Sequence, residues 1–313
     1  MNNDLQAQAA DVLRRLALDE TLKARTMADA TSAALARRVA DRYVAGETID
    51  DAFDRLPAIF ARGHKGSIEY TGESVRDSEL ANSETDVFVE LSERIGTTGV
   101  DSTVSFDLSH IGLVVDPELC YRNVVRLAEA TERAGTELMI SAEGSDRTDL
   151  VLDMHARLAE RFTHVGITVQ ARLHRTAEDI TTLLGRPGRI RVVKGAFLEP
   201  DSIAYPRGSA ELRNAYLKYV SQIVDARHPI AIATHDRDII EALCTEHDSA
   251  LKADHVEFEM LLGLGTEQLD ALSAAGFTTR EYVLFGTEWW LYVLNRIAEE
   301  PERVYTALID AAG

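Results

Sequence analysis

The sequence predicts an α/β fold: a (β/α)8 barrel preceded by N-terminal helices. Eight short β-rich runs alternate with longer amphipathic stretches, and alternation repeated this often builds a parallel sheet. The units together occupy about 250 residues, the size of such a barrel. An open doubly wound sheet would instead show a glycine-rich turn after its first strand, and Tyr70-Thr71-Gly72-Glu73-Ser74 is not one.

In chain order, residues 4–45 read as helix, with Leu5, Ala9, Val12, Leu13 and Leu16 at helical spacing. A second helix is expected over 22–44, ending at Gly46, and a third over 49–61, closing at Gly63. Strands are expected at 66–70, 102–107, 137–142, 164–169, 190–194, 230–234, 255–258 and 279–283. The helices between them are expected at 75–95, 120–134, 150–161, 176–184, 210–226, 237–247 and 266–275. The expected division is a helical segment over 1–64, packed on the barrel, and a barrel over 65–313 with closing C-terminal helices.

Composition narrows the function. The 313 residues carry 33 Lys and Arg against 52 Asp and Glu, so the net charge is 33 − 52 = −19. Such acidity argues against nucleic-acid binding, which needs cations on phosphates, and against stable docking on anionic lipid. No run approaches the roughly 18 apolar residues of a membrane span. Residues 1–10 are polar, with Asp4 early, and do not read as a signal peptide. Cys120 and Cys244 are far apart in helix-like sequence and read as reduced, buried thiols of a cytoplasmic protein. CxxC, HExxH and GxxxxGK motifs are absent, so no metal site is expected.

In a (β/α)8 barrel, catalytic groups sit at the C-terminal ends of the strands. Those ends carry Glu69, Asp107, Ser109, His110, Ser141, Glu143, Gln170, Arg172, Lys194, His235, Asp236, Glu257, Glu259 and Tyr282. Any one of them suits a cap or a solvated loop; the set as a whole points to a site. His110 lies near the second-strand mouth, where it suits either a loop residue or a base near neutral pH.

Arg191-Val192-Val193-Lys194-Gly195-Ala196-Phe197 resembles the Arg-Leu-Val-Lys-Gly-Ala-Tyr motif of proline dehydrogenases. Val169-Gln170-Ala171, Ala233-Thr234-His235 and Glu257-Phe258-Glu259-Met260-Leu261 resemble further segments of that family, in its order. So does the run from Tyr282 to Glu299, with Gly286, Trp289, Tyr292, Arg296 and Glu299; Tyr70-Thr71-Gly72-Glu73 is a weaker echo of the first strand. The resemblance covers about residues 65–305. It implies a distorted (β/α)8 TIM barrel holding FAD non-covalently and oxidising the Cα–N bond of L-proline to an imine, with electrons passing to a quinone. By the same resemblance Gln170, Arg191, Lys194, Thr234 and His235 contact the flavin. A fixed cation suits the negative charge that develops on a reduced flavin. Arg191 and Lys194, three residues apart, would point to opposite faces of a regular strand, so both serve the flavin only if the backbone turns, which Gly195 permits.

The substrate pocket departs from the family. Asp107, in Ser105-Phe106-Asp107-Leu108-Ser109-His110, stands where the resemblance places a carboxylate-binding Lys, and Asn295 stands where it places the first of two adjacent Arg; only Arg296 is kept. Ser141, in Ser141-Ala142-Glu143, replaces the Asp that usually closes the third strand, and Phe197 replaces a Tyr. Lys to Asp changes the charge by −2, Arg to Asn by −1, so the clamp is three units more negative; Asp to Ser returns one. Each charge-assisted hydrogen bond is worth about 1.5–3 kcal/mol, so carboxylate binding should weaken severely, with Arg296 expected to pair with Asp107. Tyr282 and Tyr292 are kept, in positions that pack on a ring substrate in the family.

The expected function is therefore FAD-dependent oxidation of a C–N or N–N single bond in a proline-like, amine or modified amino-acid substrate. Hydride would pass to flavin N5, with Asp107 binding the amine or accepting its proton. Two alternatives stay open: an authentic L-proline dehydrogenase forming pyrroline-5-carboxylate, and a non-catalytic barrel acting as a binding partner. The electron acceptor, quinone or oxygen, is not legible, and a quinone would require a transient peripheral membrane contact. The run 5–16 offers an oligomer contact.

Overall fold

The computed structural model describes residues 2–72 and 74–312. Glu73, the last residue of the segment that begins at Tyr70, lies outside the described residues, as do Met1, Gly313 and the side chains of residues 2–4, Asp4 among them. The element order is α1 (Asn2–Ala17), α2 (Glu20–Ala28), α3 (Ala30–Ala40), α4 (Ile49–Ala61), β1 (Lys65–Tyr70), α5 (Ser78–Thr98), β2 (Ser102–Phe106), α6 (Pro117–Ala134), β3 (Leu138–Ile140), α7 (Thr148–Ala159) and β4 (Val165–Gln170). It continues with α8 (Thr176–Leu183), β5 (Ile190–Val193), α9 (Ala210–Asp225), β6 (Ile230–Ala233), α10 (Arg237–Leu251), β7 (Val256–Leu261), α11 (Thr266–Ala274), β8 (Thr279–Phe285), α12 (Trp289–Glu299) and α13 (Arg303–Ala312). The eight strands close into a barrel in sequence order, with parallel register such as Glu69 opposite Ser105, Arg191 opposite Ala231 and Glu259 opposite Arg280.

Each strand is buried on both faces, and the two faces differ. Ile68, Val104, Phe106, Ile140, Ile167, Val192, Ile232 and Phe258 are buried on the outer face, under the crossover helices. The alternate positions, pointing into the barrel, are polar: Ser67 and Glu69, Thr103 and Ser105, Thr168 and Gln170, Arg191, Glu257 and Glu259, Arg280 and Tyr282. The apolar set drives helix docking by removing area from water. The polar set must find partners inside.

Capping fixes the helix starts. Asp77 accepts from the Leu80 amide at 2.8 Å, so α5 begins at Ser78 and not at residue 75 as the apolar pattern suggests; Gly99, at φ 67°, stops it. Asp116 accepts from the Glu118 and Leu119 amides at 3.1 Å each, and Pro117 occupies the first turn, where its missing N–H costs nothing.

The N-terminal run is not the long helices that periodicity predicts. Asp19 accepts from the Leu22 amide and Asp29 from the Ser32 amide. Each carboxylate starts a new helix, and the helix expected over 22–44 is cut at Asp29. The expected apolar face also fails to bury: Leu5 is 64% exposed, while α1 buries Ala10 and Ala17. These small side chains sit where α1 packs on α12, and Trp290 Nε1 donates to the Leu16 carbonyl at 3.2 Å. The third expected strand is shorter than 137–142 because regular pairing ends at Ile140.

The chain clusters into two compact units, Leu56–Tyr282 and a second made of Met1–Arg55 with Val283–Gly313. Cys120 and Cys244 are free thiols, the first buried. No helix of the described residues is long and apolar enough to cross a membrane.

The lower interior is closed by ion pairs. Arg280 grips Glu257 through two hydrogen bonds of 2.7 and 3.0 Å, and Arg189 grips Glu137 at 2.8 and 3.1 Å. Burial would raise the Glu257 pKa, but Arg280 and Arg189 override it and hold the carboxyl at about 2. A depressed carboxylate stabilises the fold above its unfolded pKa of about 4.3, and this contribution is lost as pH falls through the folded value. Acid titration of stability should therefore show a loss between pH 4 and 2 that Glu257→Gln/Arg280→Met lacks. An identical acid limb in the double variant would contradict the assignment.

Candidate active site

The upper half of the barrel interior carries a second ion pair and a cluster of hydroxyls. Arg191, on β5, is 4% exposed and lies across the interior from Glu259 on β7, 3% exposed. Arg191 Nε and Nη2 donate to the two Glu259 oxygens at 2.7 and 2.8 Å. Nη2 also donates to Ser105 Oγ at 3.0 Å, and Ser67, Ser105 and Thr103 are linked by hydroxyl contacts of 2.9 and 3.1 Å. Among the described residues, Nη1 has no hydrogen-bond partner. The guanidinium lies 5.0 Å over the Tyr282 ring.

One layer toward the C-terminal ends, Glu69 Oε2 accepts from Ser141 Oγ at 2.9 Å and from the Tyr282 hydroxyl. Burial pushes the Glu69 carboxyl up to about 7; the Ser141 hydrogen bond and Arg191 act downward, and Glu259 adds to the rise. Gln170, 4% exposed, donates its amide N–H to the Glu143 carbonyl at 2.8 Å, and its Oε1 is buried without a partner. Asp107 follows β2, is half-buried, and its carbonyl accepts from the His110 amide at 3.1 Å. His110 itself is buried, with Nε2 2.7 Å from Glu84 and its ring against Tyr70 and Phe88. Gly72 leaves room for that ring, since a Cβ there would sit 2.2 Å from Nε2.

The rim is formed where β5 and β6 end. β5 stops at Val193 and Gly195 takes φ 108°, so Lys194 leaves the strand and pairs with Asp236 at 2.5 Å. Burial raises the Asp236 pKa, but Lys194 and the Asp238 and Ile239 amides bring it below the usual value. Arg191 and Lys194 thus sit in separate ion pairs, one inside the barrel and one on its rim. Thr234 is buried, and its hydroxyl accepts from the Asp236 amide at 3.2 Å. His235 Nε2 faces the Leu261 amide at 3.5 Å; Gly265, at φ 63°, leaves space beside its ring. Arg172 donates to the Phe197 and Tyr205 carbonyls at 2.6 and 3.2 Å and so ties down the loop after β5.

Tyr292, Asn295 and Arg296 lie on successive turns of α12, in the unit that contains Val283–Gly313. Arg296 sits 5.4 Å over the Tyr292 ring and pairs with Glu299 at 2.8 Å, its Nε buried without a partner.

Sequence reasoning named Glu69 only as a polar strand end, Glu257 and Glu259 as strand ends and motif residues, and Ser105 only as the start of the Asp107 segment; it did not name Arg280 or Ser67. The available signal was alternation: β1, β2, β7 and β8 carry polar residues at every second position over much of their length, with Arg191 and Arg280 set against Glu69, Glu257 and Glu259.

The donors present suit a flavin. A buried amide oxygen on Gln170 lacks a donor, and Arg191 Nη1 lacks an acceptor. The edge of an isoalloxazine ring offers both. Gly195 keeps the approach open, since a Cβ there would meet Gln170 Oε1 at 3.0 Å and the Arg172 side chain at 2.8 Å.

The family described as Proline dehydrogenase matches residues 53–300. The chain is 31% identical over 267 residues to proline dehydrogenase 1 of Bacillus subtilis subsp. natto, covering 84% of this chain and 87% of the relative. It is 31% identical over 271 residues to proline dehydrogenase of Deinococcus radiodurans, covering 84% and 86%, and 28% identical over 271 residues to proline dehydrogenase 2 of Bacillus subtilis strain 168, covering 86% and 88%. Among solved structures it is similar to proline utilization A from Bdellovibrio bacteriovorus, with a TM-score of 0.77 and 18% identity over 83% of this chain. It spans 32% of that protein's chain, and this likeness speaks for the barrel alone.

Proposed function

The chain belongs to the proline dehydrogenase family, and from that premise we propose that it uses FAD to oxidise a C–N bond in a proline-like or simple amine whose carboxylate is masked or absent. Its enzyme class is that of a flavin-dependent dehydrogenase acting on a CH–NH bond. The observation that carries the reading is the polar upper interior, where Arg191 and Gln170 present an unused donor and an unused acceptor.

Gln170, Arg191, Lys194, Thr234 and His235 would hold the FAD. When bound, the flavin supplies the two-electron oxidant. Arg191, held in place by Glu259, would offer its Nη1 N–H to an electron-rich partner in a water-poor interior without reorganisation. Tyr282 would supply flat apolar surface for a ring, and orientation of the reacting carbon is the protein's main contribution. Asp107 and Asn295 stand where the family carries cations. Asp107 would repel a free carboxylate and accept from an N–H donor; of the three cations that the resemblance places at these positions, the sequence keeps Arg296. L-proline is the competing substrate, and the retention of Arg296 is the feature that favours it.

The purified protein is expected to show a flavin absorption spectrum and to turn over L-proline only with a Michaelis constant far above the millimolar range. A colourless protein that takes up no added FAD would remove the enzymatic reading. An ordinary millimolar constant for L-proline would remove the altered-substrate reading.

A further inference from the structure

We infer that Glu69 is the group that receives the substrate nitrogen, docking a cationic secondary amine and taking its proton before oxidation; this rests on the function proposed above. The interior charges make the case. Arg280 is satisfied by Glu257 and Arg191 by Glu259, each through two hydrogen bonds. Glu69 is the carboxyl left over: 8% exposed, and hydrogen-bonded among the described residues only by the hydroxyls of Ser141 and Tyr282, both on Oε2. A carboxylate in such a place needs a cation or a proton, and a protonated amine supplies either one.

The placement also explains Ser141. By resemblance the family has an Asp at that position, and a carboxylate within hydrogen-bond reach of Glu69 could not remain ionised beside it. A serine hydroxyl instead donates to Glu69 and favours its charged form. Gln170, with its unpartnered buried Oε1, offers a second acceptor in the same upper interior. The charged and titratable groups facing Glu69 are Arg191 from β5, Glu259 from β7 and Tyr282 from β8. Asp107, two residues beyond the Ser105 that pairs with Glu69, follows on the neighbouring strand.

The step is a proton transfer. An N–H bond of the ammonium breaks, its electron pair returns to nitrogen, and an O–H bond forms on Glu69. The neutral amine then carries the lone pair that oxidation of the adjacent carbon needs, and a bound flavin would supply the oxidant.

Pyrrolidine, a cyclic secondary amine without a carboxylate, is the probe. In the flavin-loaded full chain under anaerobic conditions, the rate of flavin bleaching by pyrrolidine is expected to rise with pH through a limb near 7, where Glu69 ionises. Glu69→Gln should abolish that limb and lower the rate at pH 8 at least 100-fold, and Glu69→Asp should recover part of both. Ser141→Ala removes a hydrogen bond to the ionised form, so its limb should move up by about one pH unit. An unchanged limb in Glu69→Gln, with a rate within threefold, would overturn the inference while leaving the proposed function standing. Carbon-13 NMR of the glutamate carboxyls, assigned by Glu69→Gln, gives a readout that does not depend on turnover. If neither pyrrolidine nor L-proline bleaches the flavin, the proposed function fails. A Glu69 resonance that still responds to pyrrolidine then supports the amine site, and an unresponsive one overturns it.

Discussion

Arg191→Met is expected to destabilise the protein by about 3–5 kcal/mol, because it leaves the Glu259 carboxylate buried and unpaired. The pair is nearly sealed from water, so solvent screening does not reduce this cost as it does on a surface. Arg191→Met/Glu259→Leu removes both charges, and its stability should return to within about 1 kcal/mol of the wild type. Urea denaturation of the single and double variants measures this directly. A single variant that loses less than about 1 kcal/mol would show that the pair is not the buried cross-barrel tie described here. The double variant also separates scaffold from site: it should fold and yet hold FAD weakly, because the cation proposed to face the flavin is gone.

The second large effect is a gain. Asp107→Lys restores a cation at the position that resembles the family's carboxylate anchor and removes a like charge. Each charge-assisted hydrogen bond is worth about 1.5–3 kcal/mol, and about 1.4 kcal/mol is tenfold in rate. The variant is therefore expected to raise kcat/KM for L-proline at least 100-fold, with most of the change in KM. Asn295→Arg alone should act in the same direction and less, since it adds one charge where Asp107→Lys changes two. No gain in either variant would mean that these positions do not set carboxylate affinity.

Periodicity revealed the barrel because its outer surface is a sum of short strands with apolar residues at alternate positions, Val104 with Phe106 and Ile230 with Ile232, each followed by a helix. The same periodicity misleads at α1. Leu5, Val12 and Leu16 recur at helical spacing, yet the helix packs through Ala10 and Ala17, because close approach to α12 favours small side chains over large ones. The break at Asp29 was missed for a related reason: a cap is a local hydrogen bond that a hydrophobic pattern does not register.

The site was legible where chemistry is local and illegible where it is not. Lys194, Gln170 and His235 stand out because they end strands, and Arg191 through the motif it opens. Glu69 could be named as a strand end, but its isolation could not be read, since that depends on Arg191 choosing Glu259 across the barrel and Arg280 choosing Glu257. Gly195 does take the positive φ that a turn needs, 108°, yet Arg191 pairs with Glu259 inside the barrel and Lys194 with Asp236 on its rim, a choice of partners that no local pattern announces.

We propose that this barrel keeps the family's oxidative machinery and has given up its preference for a carboxylate. Anaerobic flavin reduction by L-proline and by L-prolinamide, in which that carboxylate is masked, tests it most directly. Reduction by the amide at least tenfold more efficiently than by the acid is the result predicted here. Reduction by L-proline with a millimolar constant, and more efficiently than by the amide, would contradict it.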